Sequence, residues 1–253
     1  MTTQQLLAPF RRAITDFDMI ADGDKIAVGV SGGKDSFTLL ALLKAYQRFS
    51  PQKFELAAIT VDMGFAEHDF SPIADFCKDN GIDYYLEKTE IAQIIFEKCP
   101  DNPCSLCSKM RRGALNTKIN EIGFNKLALG HHSDDVIETF FLSFFYEGRL
   151  SVFAPKSYMS RMKITVIRPI IYLCEREINA YAKNLPVVKN PCPADKHTQR
   201  QYMKNLIHQI QEDIPFAKER IFSAVSHPER YNLWDNISQK YLDELNEGEI
   251  SLK

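Results

Sequence analysis

Short apolar runs alternate along the chain with stretches whose apolar residues recur at helical spacing. Residues 25–30 read as a buried strand, and Phe37-Thr38-Leu39-Leu40-Ala41-Leu42-Leu43 as the helix after it. Four more strands are predicted at 54–61, 84–86, 126–129 and 164–167. Helices are predicted at 6–19, 71–80, 91–96 and 175–184, and one after Cys107 that Gly123 ends. Ser71 is expected as an N-cap, with Pro72 as the first helical residue. Strand and helix in alternation predict a parallel α/β sheet, whose ligands bind beyond the carboxyl ends of the strands, so Asp62, Met63 and Gly64 fall at the ligand edge. The apolar stretch 136–146, with Phe140, Phe141, Phe144 and Phe145, is expected in the core. From Pro215 onward the chain reads as helical, with Phe222, Val225, Tyr231, Leu233, Trp234 and Leu242 packing. The expected organisation is one domain over 1–212 and a helical extension over 213–253.

The chain has 253 residues, enough for one large core or a domain with a small appendage. A formal net charge of −2 means that a polyanionic partner must use local basic patches. The start, Met1-Thr2-Thr3-Gln4-Gln5, lacks the basic-then-apolar layout of a secretory signal, and no apolar run approaches the roughly 20 residues of a membrane span. A cytoplasmic protein is expected, with no membrane partner. Its six cysteines are then reduced, which favours core, metal or redox roles over structural disulfides.

Candidate chemistry gathers at two strand-to-helix turns and two cysteine segments. Ser31-Gly32-Gly33-Lys34-Asp35-Ser36 lies where backbone N–H groups and a helix N-terminus converge, with two glycines that admit an anion close to the backbone. It is neither a Walker A loop, since Val28 and Asp35 stand where a glycine and a hydroxyl belong, nor a dinucleotide fingerprint. Gly130-His131-His132-Ser133-Asp134-Asp135 is the second such turn. Ser133 is expected as its N-cap and the aspartates complement the helix dipole, or Asp134 or Asp135 helps to hold Mg²⁺ on the phosphates of a bound ligand. Cys104-Ser105-Leu106-Cys107 opens a helix and is followed by Lys109, Arg111 and Arg112, cations that favour the thiolate. A redox disulfide, half a zinc site and part of an iron–sulfur site remain open on spacing alone, and including Cys99 gives C-x4-C-x2-C. Cys192 sits between Pro191 and Pro193, which suits a fixed ligand or a simply shaped loop. Cys77 and Cys174 read as packing residues. Arg200, Lys204 and His208 share a helix face, solvated or phosphate-tracking.

Ser-Gly-Gly-Lys-Asp-Ser resembles the signature of the PP-loop ATP pyrophosphatases. Taken with Cys104 to Gly113, Leu129 to Asp135, Ile167-Arg168-Pro169, and Cys192 followed by Gln199-Arg200-Gln201, the chain resembles the tRNA 2-thiocytidine synthetase family over roughly residues 8 to 208. The resemblance implies a Rossmann-like adenine nucleotide α-hydrolase core with a helical C-terminal extension. It implies ATP, Mg²⁺ and a 4Fe–4S cluster as cofactors, and thiolation of a cytidine at position 32 in the tRNA anticodon loop after its O2 is adenylated. Carried over, the cluster ligands are Cys104, Cys107 and Cys192. Classical members often show a second C-x-x-C at the last site, where this chain has Lys189. The same resemblance assigns catalysis to Lys34 and Asp35 with the three cysteines, and the nucleotide to Ser31, Gly32, Gly33, Lys34, Asp35 and Ser36 with Asp62, Gly130, His131, Asp134 and Asp135. RNA contacts are expected at Arg111, Arg112, Arg168, Arg200 and Lys204. A cysteine desulfurase or inorganic sulfide is the expected sulfur donor, and a homodimer is compatible with the chain. Two rivals stand beside this reading: a PP-loop amidating ligase such as tRNA lysidine synthetase, and a non-catalytic zinc or redox nucleotide-binding module.

Overall fold

The computed structural model describes residues 1–65, 68–98, 103–188, 192 and 199–231. Six strands form one sheet: β1 (Asp24–Gly29), β2 (Phe54–Asp62), β3 (Asp83–Lys88), β4 (Lys126–Ala128), β5 (Lys156–Met159) and β6 (Ile164–Ile167), in the order β3-β2-β1-β4-β6-β5. All pairings are parallel except β5 with β6. The helices are α1 (Thr3–Asp16), α2 (Lys34–Gln47), α3 (Ser71–Asp79), α4 (Ile91–Lys98), α5 (Pro103–Glu121), α6 (Ser133–Glu147), α7 (Glu175–Ala182), α8 (Gln199–Asp213) and α9 (Ala217–Ser226).

Successive side chains of a strand point to opposite faces, and β1 shows the result directly: Ile26 and Val28 enter one core, Ala27 the other. The larger core takes Leu6 and Phe10 of α1 and Phe37, Leu39, Leu40, Leu42 and Leu43 of α2, all fully buried. Each such side chain contributes about 1.5–3 kcal/mol of transfer free energy. The smaller core joins Ala27, Ile59 and Leu127 to Leu115 and Ile119 of α5. A sheet covered on both faces needs apolar strands rather than alternating ones, which is why residues 25–30 read as a continuous run. Because β2 and β3 lie on one side of β1 and β4 and β6 on the other, the strand order reverses between β1 and β4. The crevice beyond their carboxyl ends is where such a sheet binds ligands.

The opposite end of the same two strands is held by charge. Lys126 Nζ lies 2.5 Å from Asp24 Oδ2, both nearly buried, and donates to the Met19 carbonyl at 2.7 Å. Asp24 also accepts from the Ala21 N–H at 2.6 Å and from Asn125 Nδ2 at 2.9 Å, so its carboxylate is fully engaged.

Four features depart from the sequence expectation. Strand β5 was not foreseen, because Lys156-Ser157-Tyr158-Met159 is a half-exposed edge with no apolar run. The aromatic stripe of α6 is not core: Phe144 and Phe145 are 47% and 55% exposed, and the rings stack on one another in pairs, Phe140 on Phe144 and Phe141 on Phe145. Helix α1 starts earlier than its apolar spacing implies, since Thr2 and Gln5 form a reciprocal capping box. Phe70 and His132, rather than Ser71 and Ser133, are the N-caps of α3 and α6. At α6 the Asp135 carboxylate takes the His132 N–H at 2.9 Å, while Ser133 Oγ donates to the Leu173 carbonyl at 2.9 Å. Cys99, Lys189, Leu233, Trp234 and Leu242 lie outside the described residues. No helix among the described residues is long and apolar enough to cross a membrane.

Removing one partner of a buried ion pair strands the other charge. Lys126→Met is therefore expected to lower unfolding free energy by about 3 kcal/mol, read as a reduced urea midpoint at unchanged slope; an unchanged midpoint contradicts this role.

Candidate nucleotide site and thiol group

The Val30 N–H still pairs with the Ile59 carbonyl at 2.8 Å, and the chain then breaks from the sheet at Ser31. Gly32 has φ +84°, a left-handed backbone that disfavours any side chain, and Gly33 caps α2 without a side-chain hydrogen bond. The first N–H groups of α2 are thus open to a ligand. Ser36 Oγ accepts the Ser31 N–H at 3.2 Å and donates to the Gly33 carbonyl at 2.9 Å, closing the turn from inside.

Two other segments are pinned to this turn. A Cβ on Gly130 would stand 2.9–3.0 Å from the Asp35 carbonyl group and the Ser36 nitrogen, so only glycine lets the β4 turn lie against the first turn of α2. The Gly32 carbonyl accepts the Val188 N–H at 2.9 Å, which ties the segment leading to Cys192 to the glycine turn.

Above them lies a cavity of about 350 Å³, at the lower end of the size range for small-molecule sites, about 300–1,000 Å³. Its floor is the Ser31–Ser36 turn; Ile59, Val61, Leu115 and Leu129 supply an apolar wall suited to a base, and Asp35, Asp62, His131 and Asp135 supply polar groups. His132 is buried between two of these carboxylates, its Nε2 3.6 Å from Asp35 Oδ1 and 3.4 Å from Asp135 Oδ2. Its Nδ1 has no hydrogen-bond partner among the described residues and stands 3.8 Å from Asp134 Oδ2. Facing carboxylate oxygens at the phosphate end of a nucleotide cavity are the hard donors that Mg²⁺ takes.

Lys34 and Asp134 are placed otherwise. Lys34 does not line the cavity; its Nζ lies 2.9 Å from Asp35 Oδ1 and 3.2 Å from Glu175 Oε1. Burial works against its charge, and those two carboxylates outweigh burial and raise its pKa. Asp134 faces away, with Lys218 Nζ 2.8 Å from Oδ1 and the Glu175 N–H donating to Oδ2 at 2.7 Å. Burial opposes its charge too, and Lys218 with the Glu175 N–H outweighs it, lowering the pKa. Asp134 thus joins α6 to α7 and α9. His131 lines the cavity, and burial, reinforced by Arg168 and Arg200 and opposed by Asp135, lowers its pKa to about 4.

Cys104 and Cys107, three apart on the first turn of α5, are exposed and half-buried respectively, and both are free thiols. The Cys107 thiol donates to Met63 Sδ at 3.6 Å, and Met63 lines the cavity. Burial pushes the Cys107 thiol up, Arg111 opposes this, and the charges of Cys192 and Cys104 push it further up. Cys107 therefore lies within electrostatic reach of both other cysteines and of Arg111, itself a lining residue. Thiols are soft donors of the kind an iron–sulfur centre takes, and Cys107 is linked to the cavity through Met63.

The expected basic face divides. Arg111 and Arg112 are exposed, with Arg111 near Cys107, whereas Arg200 pairs with Glu138 at 3.0 Å and Lys204 with Glu175 at 2.5 Å. Arg168 is buried. The contributions of Glu175 and Val188 escape sequence reading, since neither carries a spacing signal; only a negative charge at a helix start marks Glu175.

A family profile described as a PP-loop domain matches residues 3–211. A protein of Citrifermentans bemidjiense named tRNA-cytidine(32) 2-sulfurtransferase is 40% identical over 230 residues, covering 88% of this chain and 90% of its own. One of the same name from Pseudomonas aeruginosa strain LESB58 is 38% identical over 255 residues, with 92% of each covered. Among solved structures, the U34-tRNA thiolase NcsA from Methanococcus maripaludis with its 4Fe–4S cluster is similar at TM-score 0.73 and 25% identity, over 90% of this chain and 79% of that one. The NH3-dependent NAD synthetase from Campylobacter jejuni shares the fold, at TM-score 0.50 and 14% identity over 100% and 99% of the two chains.

Gly130→Ala tests the close approach. The added methyl forces the two turns apart at a cost of about 1–3 kcal/mol, so ATP affinity measured calorimetrically is expected to fall by about 5- to 150-fold; unchanged affinity contradicts the geometry.

Proposed function

The chain belongs to the PP-loop family of the tRNA-cytidine(32) 2-sulfurtransferases, and we propose that it uses ATP to activate a base carbonyl of tRNA and then replaces that oxygen with sulfur. The observation that carries the proposal is the contact of the Cys107 thiol with Met63, a lining residue of the cavity floored by the glycine turn, with Cys104 three residues before it on the same helix.

A carbonyl oxygen is a poor leaving group. Its attack on the α-phosphate of ATP releases pyrophosphate and leaves the base as an adenylate; sulfur addition at the same carbon then expels AMP. The open N–H groups of the first turn of α2 meet the charge that develops on the phosphates, and the fixed helix dipole needs no reorganisation to do so. Asp35 and Asp135 are the proposed Mg²⁺ holders. Lys34 reaches the departing pyrophosphate on leaving Glu175. When bound by Cys104, Cys107 and Cys192, a 4Fe–4S cluster supplies an iron that no protein thiolate occupies, open to a sulfur species.

Arg111, which lines the cavity, and its exposed neighbour Arg112 are the proposed phosphate contacts of an anticodon loop whose cytidine at position 32 is splayed into the site. Arg200 and Lys204 hold acidic partners on α6 and α7 and support the scaffold instead. The sulfur is proposed to come from a cysteine desulfurase or inorganic sulfide in the cytoplasm, and the exposed aromatic end of α6 offers a face for a homodimer.

Mass spectrometry of nucleosides from tRNA incubated anaerobically with enzyme, ATP, Mg²⁺ and sulfide is expected to show 2-thiocytidine only when ATP is present. ATP cleavage with no sulfur gained by any nucleoside contradicts the proposal. Each of Cys104→Ala, Cys107→Ala and Cys192→Ala is expected to lose iron while retaining ATP affinity, and Asp35→Asn to retain iron while losing pyrophosphate release; equal loss of both functions in either set contradicts two separable sites. Arg111→Ala is expected to weaken tRNA binding and to flatten the salt dependence of log K by about 0.7–0.9 for each phosphate charge it ceases to neutralise, whereas an unchanged slope removes Arg111 from the RNA track.

A further inference from the structure

Arg168 is a cation almost withdrawn from water, 9% exposed, at the end of β6. Its Nη1 donates to the Ala154 carbonyl at 2.6 Å, its backbone N–H to the Pro155 carbonyl at 3.0 Å, and its guanidinium lies 4.8 Å from the centre of the Phe153 ring. Its Nε donates to His131 Nδ1 at 3.1 Å, and the His131 ring rests on the same Phe153 at 4.9 Å. Residues 153–155 thus hold the arginine, and the arginine meets the histidine edge-on.

A guanidinium has donors only, so the nitrogen facing it must be an unprotonated acceptor. The reversed ring would set a carbon against Nε and leave that donor without its partner. With Nδ1 accepting, a neutral imidazole carries its proton on Nε2. His131 stands on the cavity wall directly after Gly130, the residue in backbone contact with Asp35 and Ser36.

We infer that Arg168 is a positioning residue: it locks His131 as the neutral Nε2–H tautomer, so that His131 offers a hydrogen-bond donor to an oxygen of the nucleotide or of the activated carbonyl. The donor's use rests on the thiolation reading; the tautomer does not. Arg168 was expected to contact RNA phosphate, and this gives it a different task. The charged groups around the ring divide in sign. Asp135 favours a proton on it, while Arg168, Arg200 and His132 oppose one, and burial sides with the cations. An imidazole kept neutral donates to a developing oxyanion without having first attracted the negative phosphates as a cation, and therefore binds the transition state more than the ground state.

The test reads the ring itself. In full-length enzyme with 15N-labelled histidine, long-range proton–nitrogen correlation distinguishes the two neutral tautomers and the imidazolium, and H131A identifies the signals. The wild-type ring is expected to stay Nε2–H throughout the neutral pH range. In R168M it is expected to mix tautomers and to begin taking up a proton as pH falls, because one opposing cation has gone while Asp135 remains. A wild-type ring protonated on Nδ1 or on both nitrogens overturns the inference, as does an R168M ring identical to wild type. Since the spectrum needs no turnover, failure of the thiolation reading would leave this result standing. If R168M does not fold, H131Q and H131N decide the question: a glutamine amide places N–H near Nε2, an asparagine amide near Nδ1. H131Q is expected to keep kcat within about tenfold of wild type and H131N to lose about 10²–10³-fold, the usual range for one oxyanion donor. H131N matching or exceeding H131Q overturns the inference.

Discussion

The close contact of two backbones governs this site. The turn after β4 lies against the first turn of α2 with no room for a Cβ on Gly130, so the loops ending the two central strands form one rigid unit rather than two independent turns. Two helix N-termini then point into a single crevice, which brings Asp35 and Asp135 to either side of His132. A third segment is fastened to the same unit through Val188 and Gly32. Cys192 follows four residues later, within about 14 Å of Val188 along even a fully extended chain.

Around this unit the charged residues divide between scaffold and cavity. Glu175, at the start of α7, accepts both Lys34 and Lys204 and donates its N–H to Asp134, which in turn holds Lys218. Buried charges persist only with partners, and this chain of partners joins α2, α6, α7, α8 and α9 behind the glycine turn. The groups left on the cavity side are those the chemistry needs: open amides at the start of α2, the carboxylates of Asp35, Asp62 and Asp135, His131 and Arg111.

Much of this was legible in the sequence because it depends on local chemistry. The run from residue 25 to 30, the glycine-rich turn and the helix of 37–43 announced the first strand–turn–helix unit. The paired cysteines at a helix start and Gly130-His131 at a strand end likewise fell where expected. What was hidden depends on neighbours distant in the chain. Asp134 and Asp135 are indistinguishable by position, and only the packing of α7 and α9 turns one away. Arg200 and Lys204 form a plausible basic face until Glu138 and Glu175 come opposite them. The phenylalanines of α6 satisfy every local rule for a core stripe, yet the end of that helix lies exposed beyond the layer that buries Val136 and Ile137. Strand β5 forms by pairing with β6, with no apolar periodicity of its own.

The central claim is that the three thiols and the nucleotide share one cavity. The most direct measurement is pulsed electron paramagnetic resonance on the anaerobically reconstituted, one-electron-reduced protein with ATP bound, looking for 31P coupling to the unpaired spin. A phosphorus coupling that appears with ATP and disappears in Gly130→Ala is the predicted result. A reduced cluster that senses no phosphorus when the nucleotide site is saturated would contradict the account.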